Sequence, residues 1–330
     1  MICRILGLGL LALTLGIAGA PALAQDAGSD TTETAYRVYT GEGTPASLDA
    51  IQEEFVTSDV LFIGETHNDP TAHALHDSLL QRAYDHHRRP DRTLARPLAL
   101  SLEMFERDVQ PILDEYLNGL ITEDHFLASS RPWDQYAAAY RPLVEFARTH
   151  ELPVLAANAP RRYVNRVSRA GPDALDDLPA SARQWLPPLP YPGPSEAYAA
   201  KWNERMQGAM GEGHGEADAD DAHPHAAGME HLLDAQALWD ASMAYTIAEH
   251  LLRAPEAFVM HVTGRFHVSE GTGIPEALAH YQPHARPLIV AIQPADDIDA
   301  FDADEHSEQG DFVILTDRDR LPTANPMEAF

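Results

Sequence analysis

Residues 59–67 (Asp-Val-Leu-Phe-Ile-Gly-Glu-Thr-His) constrain the fold more than any other stretch. Val60 to Ile63 are uninterruptedly apolar and rich in β-branched and aromatic side chains, the pattern of a strand buried on both faces of a parallel sheet. Gly64 ends that strand, and Asp69-Pro70 opens a helix that runs through Leu79-Leu80. Glu65 and His67 are thereby placed at the carboxyl end of a central strand, where open α/β sheets receive their ligands. The spelling returns later: Phe258 to Val262 is a second apolar run, followed by Gly264-Arg265-Phe266-His267. Two strands thus end in Gly-x-x-His, each glycine permitting a sharp turn that delivers a histidine to the rim of the sheet. Either histidine alone reads as a turn or core residue. With Glu65 beside the first, the pair predicts one shared site.

Other strand ends feed the same rim. Pro97 to Leu102 is a buried strand, and Glu103 leaves its carboxyl end, either as a member of the site or as a helix N-terminal acid favoured by the dipole. Leu152 to Ala157 is another, ending in Asn158-Ala159-Pro160-Arg161, with proline well placed to start a helix. Asn158 and Arg161 then face the rim. Arg161 can hold a carboxylate, a haem propionate or a developing anion, or can simply pair with Glu65 or Glu103. His73 and His76 lie one turn apart on the first helix, as metal pairs and ordinary exposed histidines both do.

Met1 to Arg4, an apolar run from Ile5 to Ala20 and the small-residue site Ala22-Leu23-Ala24 predict a secretory signal peptide over 1–24. The run is too short and glycine-rich for a membrane span, and nothing after it is long and apolar enough to cross a bilayer. The expected product is a soluble periplasmic or secreted protein, 25–330, forming a single α/β domain. Cys3, the sole cysteine, precedes the apolar run, so it does not read as a lipid-attachment residue. Its removal would exclude disulfides, cysteine–zinc sites and thiol catalysis. A net charge of −28 argues against nucleic acid and anionic membranes as partners. Lys201 is the only lysine; every other basic residue is arginine, a bias to which the sequence attaches no function.

Between the rim strands, helices are expected over 71–86, 108–119, 122–128 and, as one long element, 133–150. Residues 35–40 form a weak edge strand. Residues 171–194 are a proline-dense linker containing Trp185 and Tyr191. Tyr198, Trp202, Met206 and Met210 then recur every fourth residue, the stripe of a core helix or of a ligand-covering lid. Residues 211–228 are low-complexity, with His214, His223 and His225 among acids, suiting a mobile loop or loose metal binding. A long helix over 232–252 carries Gln236, Asp240 and Met243 on one side, and Gly271 to Pro275 leads into a helix over 276–281. Strands over 288–292 and 312–316 close the chain. Strands alternating with helices predict an α/β fold with a mostly parallel, doubly wound sheet flanked by helices, carrying an inserted helical cap and its His/Asp-rich loop at about 171–230.

These residues resemble the ChaN-like haem-binding uptake family, a branch of the Tiki, TraB and erythromycin-esterase superfamily. The resemblance runs from about residue 36 to the last strand. It rests on Ile63-Gly64-Glu65-Thr66-His67, the run from Ser101 to Asp108, Asn158-Ala159-Pro160-Arg161, Asp240 with Met243-Ala244, and Gly264-Arg265-Phe266-His267. It implies a cell-envelope haem binder of iron uptake, whose partners are haem and an outer-membrane uptake system, with a homodimer left open. Tiki proteins, similar in the two Gly-x-x-His motifs and Asn-x-x-Arg, imply a metal-dependent peptidase; erythromycin esterases, similar in the Glu and His set, imply lactone hydrolysis. ChaN proteins are often lipoproteins, and the absence of a cysteine at the cleavage site departs from that pattern.

Two functions are compatible with these residues. Haem needs an apolar slot, an axial ligand and a cation for its propionates. Tyr191, Tyr198, Trp202, Met206 and Met210 form the candidate slot, with Asp240 nearby, and the sequence does not select the axial ligand. Alternatively the rim hydrolyses a substrate. His67, His267, Glu65 and Glu103 would hold a divalent metal, or His67 would act as general base, oriented by Glu65, with Arg161 steadying an oxyanion. No Gly-x-Ser-x-Gly motif is present, which argues against a serine hydrolase. A weaker third alternative is a non-catalytic envelope partner that collects metal through its His-rich tract.

Overall fold

The computed structural model describes residues 35–88, 94–211 and 231–322; the expected signal peptide, the Met210 side chain and the His-rich tract beyond Gly211 lie outside the described residues. The strands are β1 (Tyr36–Thr40), β2 (Pro45–Ala46), β3 (Val60–Glu65), β4 (Leu98–Glu106), β5 (Val154–Asn158), β6 (Phe258–Gly264), β7 (Pro287–Ala295) and β8 (Phe312–Asp317). They form one sheet in the order β2-β1-β8-β7-β3-β6-β4-β5. All pairings from β8 to β5 are parallel, and β1 joins β8 and β2 antiparallel. The expected mostly parallel, doubly wound sheet is what forms.

The winding places the crevice. From β3 the chain moves outward to β4 and β5, returns to β6 between β3 and β4, and then crosses to β7 and β8. The direction reverses between β3 and β6, where Glu65 is in register with Gly264. Open α/β sheets split apart at such a reversal, and both Gly-x-x-His motifs begin there.

Each face of the sheet is sealed by its own helices. Leu61 and Ile63 pack with Leu75 and Leu79 of helix Pro70–His87 and with Leu143 and Val144 of helix Arg141–Thr149. Their neighbours Val60 and Phe62 point the other way, against Met243 and Ile247 of helix Leu232–Arg253 and Ile274 and Leu278 of helix Ile274–Tyr281. Fully burying one such side chain stabilises by about 1.5–3 kcal/mol, so this alternation fixes the register of β3. Asp69 caps the first helix by accepting from the Thr71 and Ala72 amides at 2.8 and 3.2 Å, while its second oxygen accepts the Thr316 hydroxyl of β8 at 2.5 Å. The outer edge of β5 is blunted by Gln110, whose amide donates to Val154 O at 2.8 Å and accepts from Ala156 N at 2.7 Å.

Two expectations need correction. The helix over 133–150 is two pieces, Tyr136–Ala139 and Arg141–Thr149, because Pro142 lacks an N–H and starts a new helix. The segment 171–194 is not a bare linker. It contains a 3-10 turn, Pro172–Asp177, and a short helix, Ala180–Arg183, and its Leu175 and Leu186 pack against Val164, Val167 and Leu238. It leads into the cap helix, Glu196–Gly211.

Candidate functional site

Glu65 and Glu103 sit on opposite faces of the sheet. Glu65 follows Leu61 and Ile63 toward helix Pro70–His87, whereas Glu103 follows Ala99 and Ser101 toward helix Leu232–Arg253. Each is the centre of a buried polar pocket, and the pockets meet at Gly264.

In the first pocket Glu65 Oε1 receives the Tyr140 hydroxyl at 2.5 Å and lies 2.9 Å from His67 Nδ1. Its other oxygen faces His76 Nε2 at 3.4 Å and His73 Nε2 at 3.6 Å. The break before Pro142 gives Tyr140 its place: it sits at the joint between the two short helices, aimed at the carboxylate. Burial opposes ionisation of Glu65, yet His76, His67 and the Tyr140 hydroxyl together hold its pKa below the usual range. His76 is fully buried, and burial pushes its pKa down to about 4. His67 differs. Burial works against its charge, but Glu65 and Glu103 outweigh it and raise its pKa, and with 39% of its side chain exposed it is the opening of the site. Trp133 packs edge-on to it at 5.0 Å.

In the second pocket Glu103 Oε2 accepts the Thr263 hydroxyl and the Gly264 amide, both at 2.7 Å, and Oε1 faces His267 Nε2 at 3.6 Å. Burial would raise the Glu103 pKa, but His267, His67 and these donors bring it down to about 2. His267 Nδ1 is 2.5 Å from Asp240 Oδ1, and Gln236 Nε2 lies 3.3 Å from the same nitrogen. Against burial, Glu103 and Asp240 raise the His267 pKa. His67 and His267 converge because β3 and β6 end in register and Gly264 has no side chain to part them. A Cβ built there would lie 2.9 Å from His67 Nε2 and 3.6 Å from His267 Cδ2.

Of the residues expected at the rim, Glu65, His67, Glu103 and His267 are thus brought together. Asn158 and Arg161 are not. Asn158 ends β5 at the sheet edge, buried and in register with Glu106, with Oδ1 unpartnered. Arg161 is exposed and makes no ion pair with Glu65 or Glu103; among the described residues it has no hydrogen-bonding partner. His67, His267, Glu65 and Glu103, though brought together, are not arranged as a metal set: among the described residues no group of three or more such side chains is arranged to hold a metal ion. The two carboxylates point to opposite faces, and each is engaged by hydrogen-bond donors and imidazoles of its own pocket. Tyr140, Thr263 and Gln236 went unassigned in the sequence. Proline two residues after Tyr140 was the available signal for the first.

The cap residues divide. Tyr191 donates to Asp234 O at 3.0 Å and packs with the Leu175 and Leu186 cluster. Tyr198 is 1% exposed, and its hydroxyl faces Asp240 and Gln236. Burial, then the charge and hydrogen bonding of Asp240, raise its pKa. Trp202 and Met206 are half-buried, Trp202 packing edge-on to Phe266 at 5.9 Å. A separate cleft of about 320 Å³ lies between Arg107, Tyr245 and the Leu186-Pro187-Pro188-Leu189 wall.

The comparisons agree with this fold. A solved structure titled "Cofacial heme binding to ChaN of Campylobacter jejuni" superposes with a TM-score of 0.60 at 13% identity, covering 86% of this chain and 98% of that one. A mutant of the erythromycin esterase EreC in its open conformation superposes at a TM-score of 0.42 and 10% identity, over 78% of this chain and 77% of that one. At 13% identity the likeness to ChaN is one of fold. No curated protein sequence matches significantly. Residues 51–278, spanning both Gly-x-x-His motifs and the cap, match the family "Haem-binding uptake, Tiki superfamily, ChaN", and the chain belongs to that family.

Proposed function

We propose that this protein binds haem through its cap, in the cell envelope to which Ala22-Leu23-Ala24 would direct it, as a component of haem or iron uptake. One observation carries the choice of the cap: the phenol of Tyr198, buried on the cap helix, lies against the Asp240 carboxylate. A phenol oxygen is an established axial ligand of haem iron. The neighbouring Asp240 carboxylate is suited to take the phenol proton. Trp202 and Met206, half-buried one and two turns further along the same helix, offer apolar cover. Arg205 on the cap and Arg161 beyond β5 are exposed cations suited to propionates. Bound haem would supply an iron centre for the phenolate. Because Tyr198 is enclosed, loading requires the cap helix to shift. The rim pockets keep a separate role as a buried polar centre under the cap.

The test is an absorbance titration of the purified protein with haemin. Saturable binding with a shifted haem spectrum is expected, weakened in Trp202→Ala. A spectrum equal to that of free haemin at every ratio would remove the proposal.

A further inference from the structure

Lys201 is the only lysine in a sequence whose other basic residues are all arginine. It lies on the cap helix, half-buried, directly beside Trp202. Its ammonium meets four oxygens of a single loop: Phe266 O at 3.1 Å, Ser269 O at 2.7 Å, Ser269 Oγ at 3.3 Å and Thr272 Oγ1 at 2.5 Å. The rings of Phe266 and Tyr198 flank it at 4.9 and 5.2 Å.

The loop's own backbone and hydroxyls suit it to this role. Glu270 and Gly271 both have positive φ, 62° and 69°, which curls residues 266–272 into a tight turn. The Thr272 hydroxyl donates to Ser269 O at 3.0 Å, which leaves its lone pairs for an incoming donor. Gly273 lets the cap approach: a Cβ there would lie 2.6 Å from His267 O and 3.2 Å from the Tyr198 ring. Four acceptors around one point suit a compact charge. An ammonium is such a charge, with three rotatable donors, whereas the planar fork of a guanidinium spreads its donors over a wider span. The one lysine therefore occupies a position that the otherwise uniform choice of arginine would not fill.

We infer that loop 266–272 is a preformed oxygen cage for a compact monovalent cation, that the Lys201 ammonium is its internal occupant, and that this clasp docks the cap helix onto the turn carrying His267. Lys201 is then a positioning residue. It acts on His267 through Phe266 and Ser269, and on the haem-facing stripe through its neighbours Tyr198 and Trp202. The clasp exists whether or not the cap binds haem, so it is tested on haem-free protein.

Amide exchange over 196–207, referenced to β3 and β6 in the same sample, reads the docking. Lys201→Ala should raise exchange in the cap at least tenfold while the sheet stays protected. Lys201→Arg, which keeps the charge, should stay loosened. Unchanged cap exchange in Lys201→Ala would overturn the clasp. An arginine variant as protected as the parent would overturn the cage. If the variants fail to fold, reductive methylation of the unaltered protein decides: Lys201 should resist dimethylation under conditions that label a free lysine fully, and rapid complete labelling there would refute the clasp.

Discussion

His67 and His267, from opposite halves of the chain, meet over the bare α-carbon of Gly264, one ring 2.9 Å and the other 3.6 Å from where its Cβ would stand. The glycine of the second motif makes room for the histidine of the first. Each imidazole is turned by its own carboxylate, Glu65 for His67 and Asp240 for His267, so the convergence is built from both faces of the sheet.

Adding a methyl group at Gly264 should displace the half-exposed His67 ring, a flexible neighbour. Gly64 is tighter, because its added Cβ would lie 2.7 Å from Val268 Cγ2 and 2.9 Å from the Arg265 α-carbon, and backbone cannot swing aside. Urea unfolding should show Gly64→Ala destabilised by about 2–3 kcal/mol and Gly264→Ala by about 1 kcal/mol, the usual span of overpacking. The reverse order would contradict the placement of His67.

Tyr140→Phe removes the donor nearest to Glu65 and leaves a buried carboxylate short of one hydrogen bond. A loss of about 1.5–3 kcal/mol is expected by urea unfolding, the range for a hydrogen bond to a charged group. A loss below about 0.5 kcal/mol would mean that the phenol and carboxylate are not bonded in solution.

Stability should fall with acid well before the carboxylates titrate. His76 and His261 are fully buried, and burial holds their pKa values at about 4 and about 3. The unfolded chain takes up these protons first, so stability is lost as pH drops below about 6.5 and continues to fall toward 4. His67 and His267 act oppositely. Their folded pKa values are raised, so their contribution is complete below about 6.5 and is lost as pH rises through the folded values. Glu103, held at about 2, contributes fully above about 4.5 and loses that contribution as pH falls toward 2. His76→Asn should flatten the decline between pH 6.5 and 4, read as urea midpoints across that range. An unaltered slope would show that His76 is not buried neutral.

The sequence makes the strand ends legible because a parallel strand buried on both faces reads as an apolar run, and the residues just beyond it must lie at the rim. Glu65, His67, Glu103 and His267 were visible in that way. Tyr140 was not, because helical periodicity runs through Tyr136, Tyr140 and Leu143 without interruption and hides the break at Pro142. The separation of Glu65 from Glu103 onto opposite faces was equally hidden. It depends on the order of β3, β6 and β4, which pattern alone does not give. Lys201 was conspicuous as the sole lysine, but its acceptors are backbone carbonyls and hydroxyls of a loop, groups that no motif marks. Asn158 and Arg161 show the limit of the strand-end argument: β5 closes the sheet at its edge, so the turn at its carboxyl end need not reach the central crevice.

Haem binding by the cap, with the rim as a separate polar centre, is tested most directly by haemin absorbance spectra of Tyr198→Phe set beside His67→Ala. The phenylalanine variant should lose or shift the haem band, since an axial ligand sets the electronics of the iron, while the alanine variant should leave it essentially unchanged. A band unaltered in Tyr198→Phe and abolished in His67→Ala would contradict the cap and place the ligand at the rim.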